Sequence, residues 1–365
     1  MQVPFLDLSR IHEALTEEME QTFKRVLRES YFVYGKDVSV FERNFAEAHN
    51  MSYCVSTGNC TDALQLTLQA FGIEEGDEVI IPAMTWITDA EAVSNLGAMP
   101  VFVDVGEDGL INASQIEENV NPNTKAIIVV HLYGKLVNMD SIESIAKKYH
   151  LKIIEDCAQS AFASRNGKKA GTYAQAAVFS FYPTKNLGAL GDAGCLLTND
   201  QALALQVRKL ANHGAADKHS HEFPGANSRM DTLQAAILNL KLPFLEGWNA
   251  QRQRAADNYR SALINLKLVL PDCENHVFHI FSILTKHRNE LRKYLKERGI
   301  QTQIHYPKAV PYTKAYAEFG FESEDFPQAF RLQNESLSLP LFPGITEEEQ
   351  AYVIQTMREF FRDRI

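Results

Sequence analysis

The sequence predicts an α/β fold: a mostly parallel central sheet with helices on both faces, followed by a small C-terminal α+β domain. Three observations carry this. Short, almost wholly apolar runs recur between about residues 53 and 180, amphipathic stretches separate most of them, and the rhythm changes after about Ala250. Strands that are apolar along their whole length are buried on both faces, which is the condition of a parallel sheet covered by helices. A chain of 365 residues holds both parts, with residues 1–250 as the large domain and 251–365 as the small one.

In chain order, two helical patterns come first, roughly Ile11 to Glu29 and Asp37 to His49. Predicted strands follow at Tyr53–Val55, Glu78–Ile81, Pro100–Val103, Ala126–Val130, Lys152–Glu155 and Ala177–Ser180. Helical stretches such as Thr61–Phe71, Thr88–Leu96 and Ser141–Tyr149 lie between them. A long helix runs from Gln234 towards Leu266 with a kink near Pro243. The tail adds a strand at Val277–Thr285, a helix at Arg288–Arg298, a short strand at Gln301–Ile304 and a closing helix at Glu347–Phe361. The run Glu347-Glu348-Glu349 suits the first turn of that last helix, where the positive end of the helix dipole favours acids.

Composition excludes several classes. The hydrophobic fraction of 45% and charged fraction of 22% are those of a globular protein. A net charge of −10 argues against a nucleic-acid binder, which needs a basic face. The five cysteines, Cys54, Cys60, Cys157, Cys195 and Cys273, form no C-x-x-C pair, so neither a disulfide framework nor a zinc site is expected. They fit a reducing, cytoplasmic setting. The N-terminus lacks the apolar core of a signal peptide, and no apolar run is long enough to span a membrane.

In open α/β sheets ligands sit beyond the carboxyl ends of the strands, and four such ends carry unusual residues. After the first strand, Ser56-Thr57-Gly58-Asn59-Cys60-Thr61-Asp62 leads into a helix, whose free N–H groups form a phosphate site or, more plainly, an ordinary cap. After the second, Trp86 offers an indole that stacks on a planar ring or simply fills core. After the fifth, Asp156 follows an apolar strand, so its carboxylate needs a cationic or hydrogen-bonding partner. A protonated pyridine nitrogen meets that need, and so does a helix N-terminus. After the sixth comes Phe179-Ser180-Phe181-Tyr182-Pro183-Thr184-Lys185-Asn186-Leu187-Gly188. Lys185 there stands among aromatic residues, and desolvation makes a lysine amine nucleophilic. The order of phosphate turn, aromatic platform, buried Asp and, roughly 30 residues later, Lys is more specific than any one of its parts.

These segments resemble the DegT-type (StrS-type) nucleotide-sugar aminotransferases, pyridoxal-phosphate (PLP) enzymes of fold type I. The resemblance runs from Pro4-Phe5-Leu6-Asp7-Leu8 to Leu339-Pro340-Leu341-Phe342-Pro343-Gly344 and is most specific at Glu155–Gln159, Phe179–Gly194 and Asn227-Ser228-Arg229-Met230. It implies that Lys185 forms the Schiff base with PLP and then shuttles protons. Asp156 pairs with the pyridine nitrogen, Trp86 stacks on the ring, and Gln159 contacts its phenolic oxygen. Cys60, Thr61 and Ser180 hold the phosphate. Asn227 reaches that phosphate from the partner subunit of a homodimer with shared active sites. His305, Tyr306 and Tyr182 lie near the sugar nucleotide.

The lysine motif resembles the branch that aminates 3-keto-6-deoxyhexoses on dTDP or UDP, with L-glutamate as donor in a ping-pong reaction. The 4-keto branch tends to carry histidine where this chain has Tyr182. A 4-keto acceptor is the alternative. A sugar dehydratase, whose relatives tend to have histidine at the Lys185 position, and a non-catalytic regulator are further ones. The chain departs from the family pattern at Cys60 (usually glycine), Ser228 (usually tyrosine), Lys135-Leu136 and Pro311. A side chain at position 60 leaves backbone donation intact only if φ there is negative. His131 and His213 read as structural or subunit-contact residues, His276 and His279 flank Val277 and Phe278 on a predicted strand without a metal role, and no metal site is expected.

Overall fold

A computed structural model describes residues 1–217 and 219–362. Its centre is a seven-stranded sheet: β1 (Tyr53–Thr57), β2 (Glu78–Pro82), β3 (Met99–Val103), β4 (Thr124–Val130), β5 (Lys152–Asp156), β6 (Ala176–Ser180) and β7 (Gly194–Thr198). The spatial order is β1-β7-β6-β5-β4-β2-β3. All pairings are parallel except those of β7, which runs antiparallel to both β1 and β6. Residues such as Ile127, Ile128, Ile154 and Val178 are fully buried, as strands covered on both faces must be.

Six of these strands coincide with predicted ones; β7 does not. Its sequence, Gly-Cys-Leu-Leu-Thr, directly follows a glycine-rich turn and reads as part of it. The long predicted helix is two helices, Thr232–Lys241 and Leu245–Leu263, joined by a 3₁₀ turn at Leu242–Phe244. Pro243 has no N–H to continue an α-helix, so the chain tightens there. The first helical pattern is also two pieces, Ser9–Glu13 and Thr16–Glu29. The predicted strand at Val277–Thr285 contracts to Phe281–Leu284, which pairs antiparallel with Ser336–Leu339. No strand forms over Gln301–Ile304. Only a single bridge, Gln303 to Ser338, marks that register.

The C-terminal part has its own core, in which Tyr259, Phe278, Phe281, Leu291 and Phe360 pack with Val3 from the N-terminus. A second core lies under the lysine loop. Period-two alternation sends Phe179 and Phe181 to one face of the sheet and Ser180 to the other. Phe179 and Phe181 meet Phe45 edge-on at 5.0 and 5.1 Å, and Phe181 meets Phe41 at 5.1 Å. Each such pair adds about 0.5–1.5 kcal/mol beyond burial. That anchors the strand from which the lysine loop departs.

Candidate active site

The carboxyl ends of β2, β5 and β6 open on one side of the sheet, and the start of β7 returns to the same edge. Gly194 opposes both Thr57 of β1 and Ser180 of β6. This brings the helix Cys60–Ala70 to the sheet edge beside Ser180. The approach is so close that a Cβ on Gly194 would lie 2.5 Å from the Cys60 nitrogen, so only glycine fits. The side chain of Asn59 caps the helix by accepting from the Asp62 N–H at 2.8 Å. Cys60 and Thr61 supply the next helix-start N–H groups, a site suited to an anion. Cys60 is not among the residues with positive φ, so the side chain at this position leaves its backbone donor in place.

These parts line a cavity of about 650 Å³. Of the predicted residues, Cys60, Thr61, Trp86, Asp156, Gln159, Ser180, Tyr182, Lys185, His305 and Tyr306 all border it. Asn227 does not. It is exposed and paired in a backbone bridge with Asn212 on its own chain.

Lys185 is half-buried at the end of a locked turn. Its N–H donates to the Tyr182 carbonyl at 2.8 Å, and the Ala189 N–H donates to the Phe181 carbonyl at 2.8 Å. Gly188 passes so near the Pro183 carbonyl that a Cβ would lie 2.3 Å from its oxygen, and its own carbonyl accepts from Lys241 Nζ at 2.7 Å. Burial pushes the Lys185 amine below the usual lysine range, partly offset by the charge of Asp156.

Asp156 is the last residue of β5 rather than the residue after it. Its Oδ1 accepts from the Ala158 N–H at 2.8 Å. Burial raises its carboxyl, against the pull of that N–H and of Lys185 and His131.

Trp86 is 58% exposed, which removes it from the core and leaves its indole face to a ligand. Its ring lies 5.4 Å from that of Tyr306, tilted by 49°. Gln159 is fixed at both ends: Oε1 accepts from the Tyr133 N–H at 2.6 Å and Nε2 donates to the Tyr306 hydroxyl at 2.9 Å.

Sequence reasoning gave no site role to two residues. His279 lines the cavity, with Nδ1 3.0 Å from Asn186 Oδ1, and burial holds its imidazole well below the usual range. Asp89 is fully buried behind Asp156. His131, Glu155 and Cys157 lie close enough together to suggest a metal. The His131 nitrogens are committed, however, Nδ1 to the Val137 N–H and Nε2 to Glu155, so they form structure.

A half-buried lysine, a buried acid, an exposed indole and a helix start around one cavity fit the PLP-dependent aminotransferase class of fold type I. The residues fit the cofactor: the ring has an indole to lie on, the pyridine nitrogen an acid and the phosphate a helix terminus. Residues 13–358 match the DegT/DnrJ/EryC1/StrS aminotransferase family, and the chain belongs to it. It is 43% identical to the dTDP-3-amino-3,6-dideoxy-alpha-D-galactopyranose transaminase of Aneurinibacillus thermoaerophilus over 98% of this chain and 99% of that one. It is 41% identical to a pleiotropic regulatory protein of Geobacillus stearothermophilus, over 99% of each chain. Among solved structures, S. venezuelae DesV in complex with a ketimine intermediate superposes with a TM-score of 0.96 at 39% identity, over 98% of each chain. The family's cofactor is PLP.

Proposed function

We propose that this aminotransferase moves the amino group of L-glutamate to a nucleotide-linked 3-keto-6-deoxyhexose in two half-reactions. The observation that carries the reading is the convergence of Lys185 and Asp156 on a cavity that also holds the start of the helix Cys60–Ala70. When bound, PLP supplies a protonated ring that accepts the electron pair left when a carbon beside nitrogen loses its proton. The chain does the rest. Asp156 holds the proton on the ring nitrogen. Trp86 covers a ring face, and the Cys60 and Thr61 N–H groups, with Ser180 Oγ, hold the phosphate. Lys185 Nζ would take the α-proton of glutamate and pass it to the cofactor carbon that receives the amino nitrogen, and would make both transfers in reverse when the sugar ketone takes up that nitrogen. Burial lowers the proton affinity of Lys185, which is the direction a lysine base needs.

The acceptor assignment rests on Tyr182, which is 51% exposed at the cavity, and on His305-Tyr306-Pro307 beside it. Relatives named as transaminases of dTDP-linked 3-amino sugars support it. A homodimer is part of the reading. Phe23, Leu27, Tyr31, Phe32 and Tyr34 leave a large apolar surface exposed, and in the dimer the partner subunit's Asn227 completes the phosphate site. A division of the chain near residue 250 and a cytoplasmic setting, in keeping with five free cysteines, belong to the same reading.

Purified protein loaded with PLP is expected to show a visible band that glutamate bleaches, and a panel of dTDP- and UDP-linked keto sugars should then yield 3-amino sugars. Amination of 4-keto sugars alone overturns the acceptor. A band that glutamate leaves unchanged overturns the transaminase.

A further inference from the structure

Asp89 lies in the first turn of the helix Thr88–Ser94 and is fully buried. Its Oδ2 accepts from the Thr85 hydroxyl at 2.6 Å. Its Oδ1 is buried with no hydrogen-bond partner among the described residues. Its neighbour is the carboxyl of Asp156, in side-chain contact with it.

Two carboxylates in contact in a dry site cannot both carry charge, so one holds a proton. The surroundings decide which. Asp156 faces Lys185 and His131 and accepts from the Ala158 N–H, all of which favour its ionised form. Besides Asp156, Asp89 is faced by the Thr85 hydroxyl, the Cys60 thiol and the Tyr306 phenol, none of them a cation.

We propose that Asp89 is a neutral carboxylic acid that donates a hydrogen bond to Asp156, keeping Asp156 ionised for the ring nitrogen of the cofactor. The inference rests on the PLP reading of the site. Asp89 acts only through Asp156, so it is a positioning residue. The protonated form satisfies every atom: the carbonyl oxygen accepts from Thr85 and the hydroxyl donates to Asp156. Asparagine reproduces that pattern, with its oxygen towards Thr85 and its NH₂ towards Asp156. Leucine has similar bulk and no donor.

The test compares wild type, Asp89→Asn and Asp89→Leu. In the PLP-loaded enzyme, infrared spectroscopy should find the carbonyl stretch of a protonated acid in wild type, absent from Asp89→Asn. With cofactor bound, Asp156 is the ionised partner of the ring, so that signal belongs to Asp89. Tryptophan quenching then follows PLP uptake by the apoprotein against pH. The acid limb of uptake should stay in place in Asp89→Asn and move up by about one to two pH units in Asp89→Leu, because a lost donor to a charged group raises its proton affinity by that much. An infrared difference of zero overturns the proposal, even if Asp89→Leu fails to fold. An unmoved acid limb in a folded Asp89→Leu overturns it too. Wild-type protein that takes up no PLP overturns the cofactor reading itself, whereas normal uptake without the infrared signal defeats only the role of Asp89.

Discussion

Glu155 and Asp156 are consecutive residues of β5, both buried, and the alternation of the strand sends them to opposite faces of the sheet. Glu155 is saturated. Its Oε1 accepts from the Tyr173 and Ala174 N–H groups at 2.7 and 2.9 Å, and its Oε2 from the Gly171 N–H and His131 Nε2 at 2.8 and 3.0 Å. Asp156 accepts one backbone N–H, touches Asp89, and turns its remaining capacity towards the cavity. The two carboxyls differ in who completes them. The chain itself completes Glu155, which ties a loop to the sheet. Asp156 is left open to the cavity for a ligand to complete, which makes it a candidate site. Burial alone does not tell the two apart; the count of satisfied acceptors does.

Mutations on the two faces should therefore fail in different ways. Lys185→Ala on the cavity face should lower turnover on the order of 10⁴-fold, the upper range for losing a positioned proton-transfer group. The melting temperature should hardly move, because only one half-buried side chain is lost. Stopped-flow absorbance with glutamate reads the first effect and calorimetry the second. Asp156→Asn should lower turnover by roughly 10²–10³-fold, the usual effect of removing a preorganised charge from a developing one. Its unfolding midpoint in urea should stay near wild type. Glu155→Ala should do the reverse. It leaves three backbone N–H groups and a histidine unpaired in the interior, at a cost of about 3 kcal/mol or more in urea unfolding. Turnover per folded molecule should stay near that of wild type. If Glu155→Ala instead lost activity at full stability, the division between the faces would be wrong.

Six of the sheet strands and Asp156 were legible because each is a local pattern, an apolar run that ends on a polar residue, whereas Lys185 stood out only through its order after the other strand-end residues. Cys60, Thr61 and Ser180 lay at neighbouring strand ends, where the local pattern allowed an ordinary cap as readily as a phosphate site, and only the resemblance gave them a role. β7 was not legible, since five small or apolar residues after a glycine-rich turn carry no period of their own. Asp89 was hidden for a different reason. An acid in the first turn of a helix is the commonest of surface features, and Thr-Asp-Ala-Glu-Ala gives no sign that this one faces inward. Its meaning comes from Asp156, which is far away in sequence and adjacent only once the parallel sheet has formed. The hydrogen bond from Gln159 to Tyr306 likewise joins the large sheet to the C-terminal part, a pairing that no local pattern encodes.

The smallest expected effect lies at Trp86, and it sharpens the comparison because this residue is on the cavity face without being buried. A core tryptophan would cost several kcal/mol on truncation to alanine. At 58% exposure Trp86 has little of that burial to lose, so Trp86→Ala should leave the apoprotein's melting temperature almost unchanged. Its contribution should appear only when a planar ring lies against the indole. A stacked aromatic pair adds about 0.5–1.5 kcal/mol, so the dissociation constant for PLP should rise by roughly threefold to tenfold. Trp86→Phe, which keeps an aromatic face, should recover most of that. Titrating PLP into the apoprotein by its visible absorbance measures all three proteins without the tryptophan signal. A Trp86→Ala protein that binds PLP as wild type does but melts several degrees lower would return the indole to the structural class of Glu155.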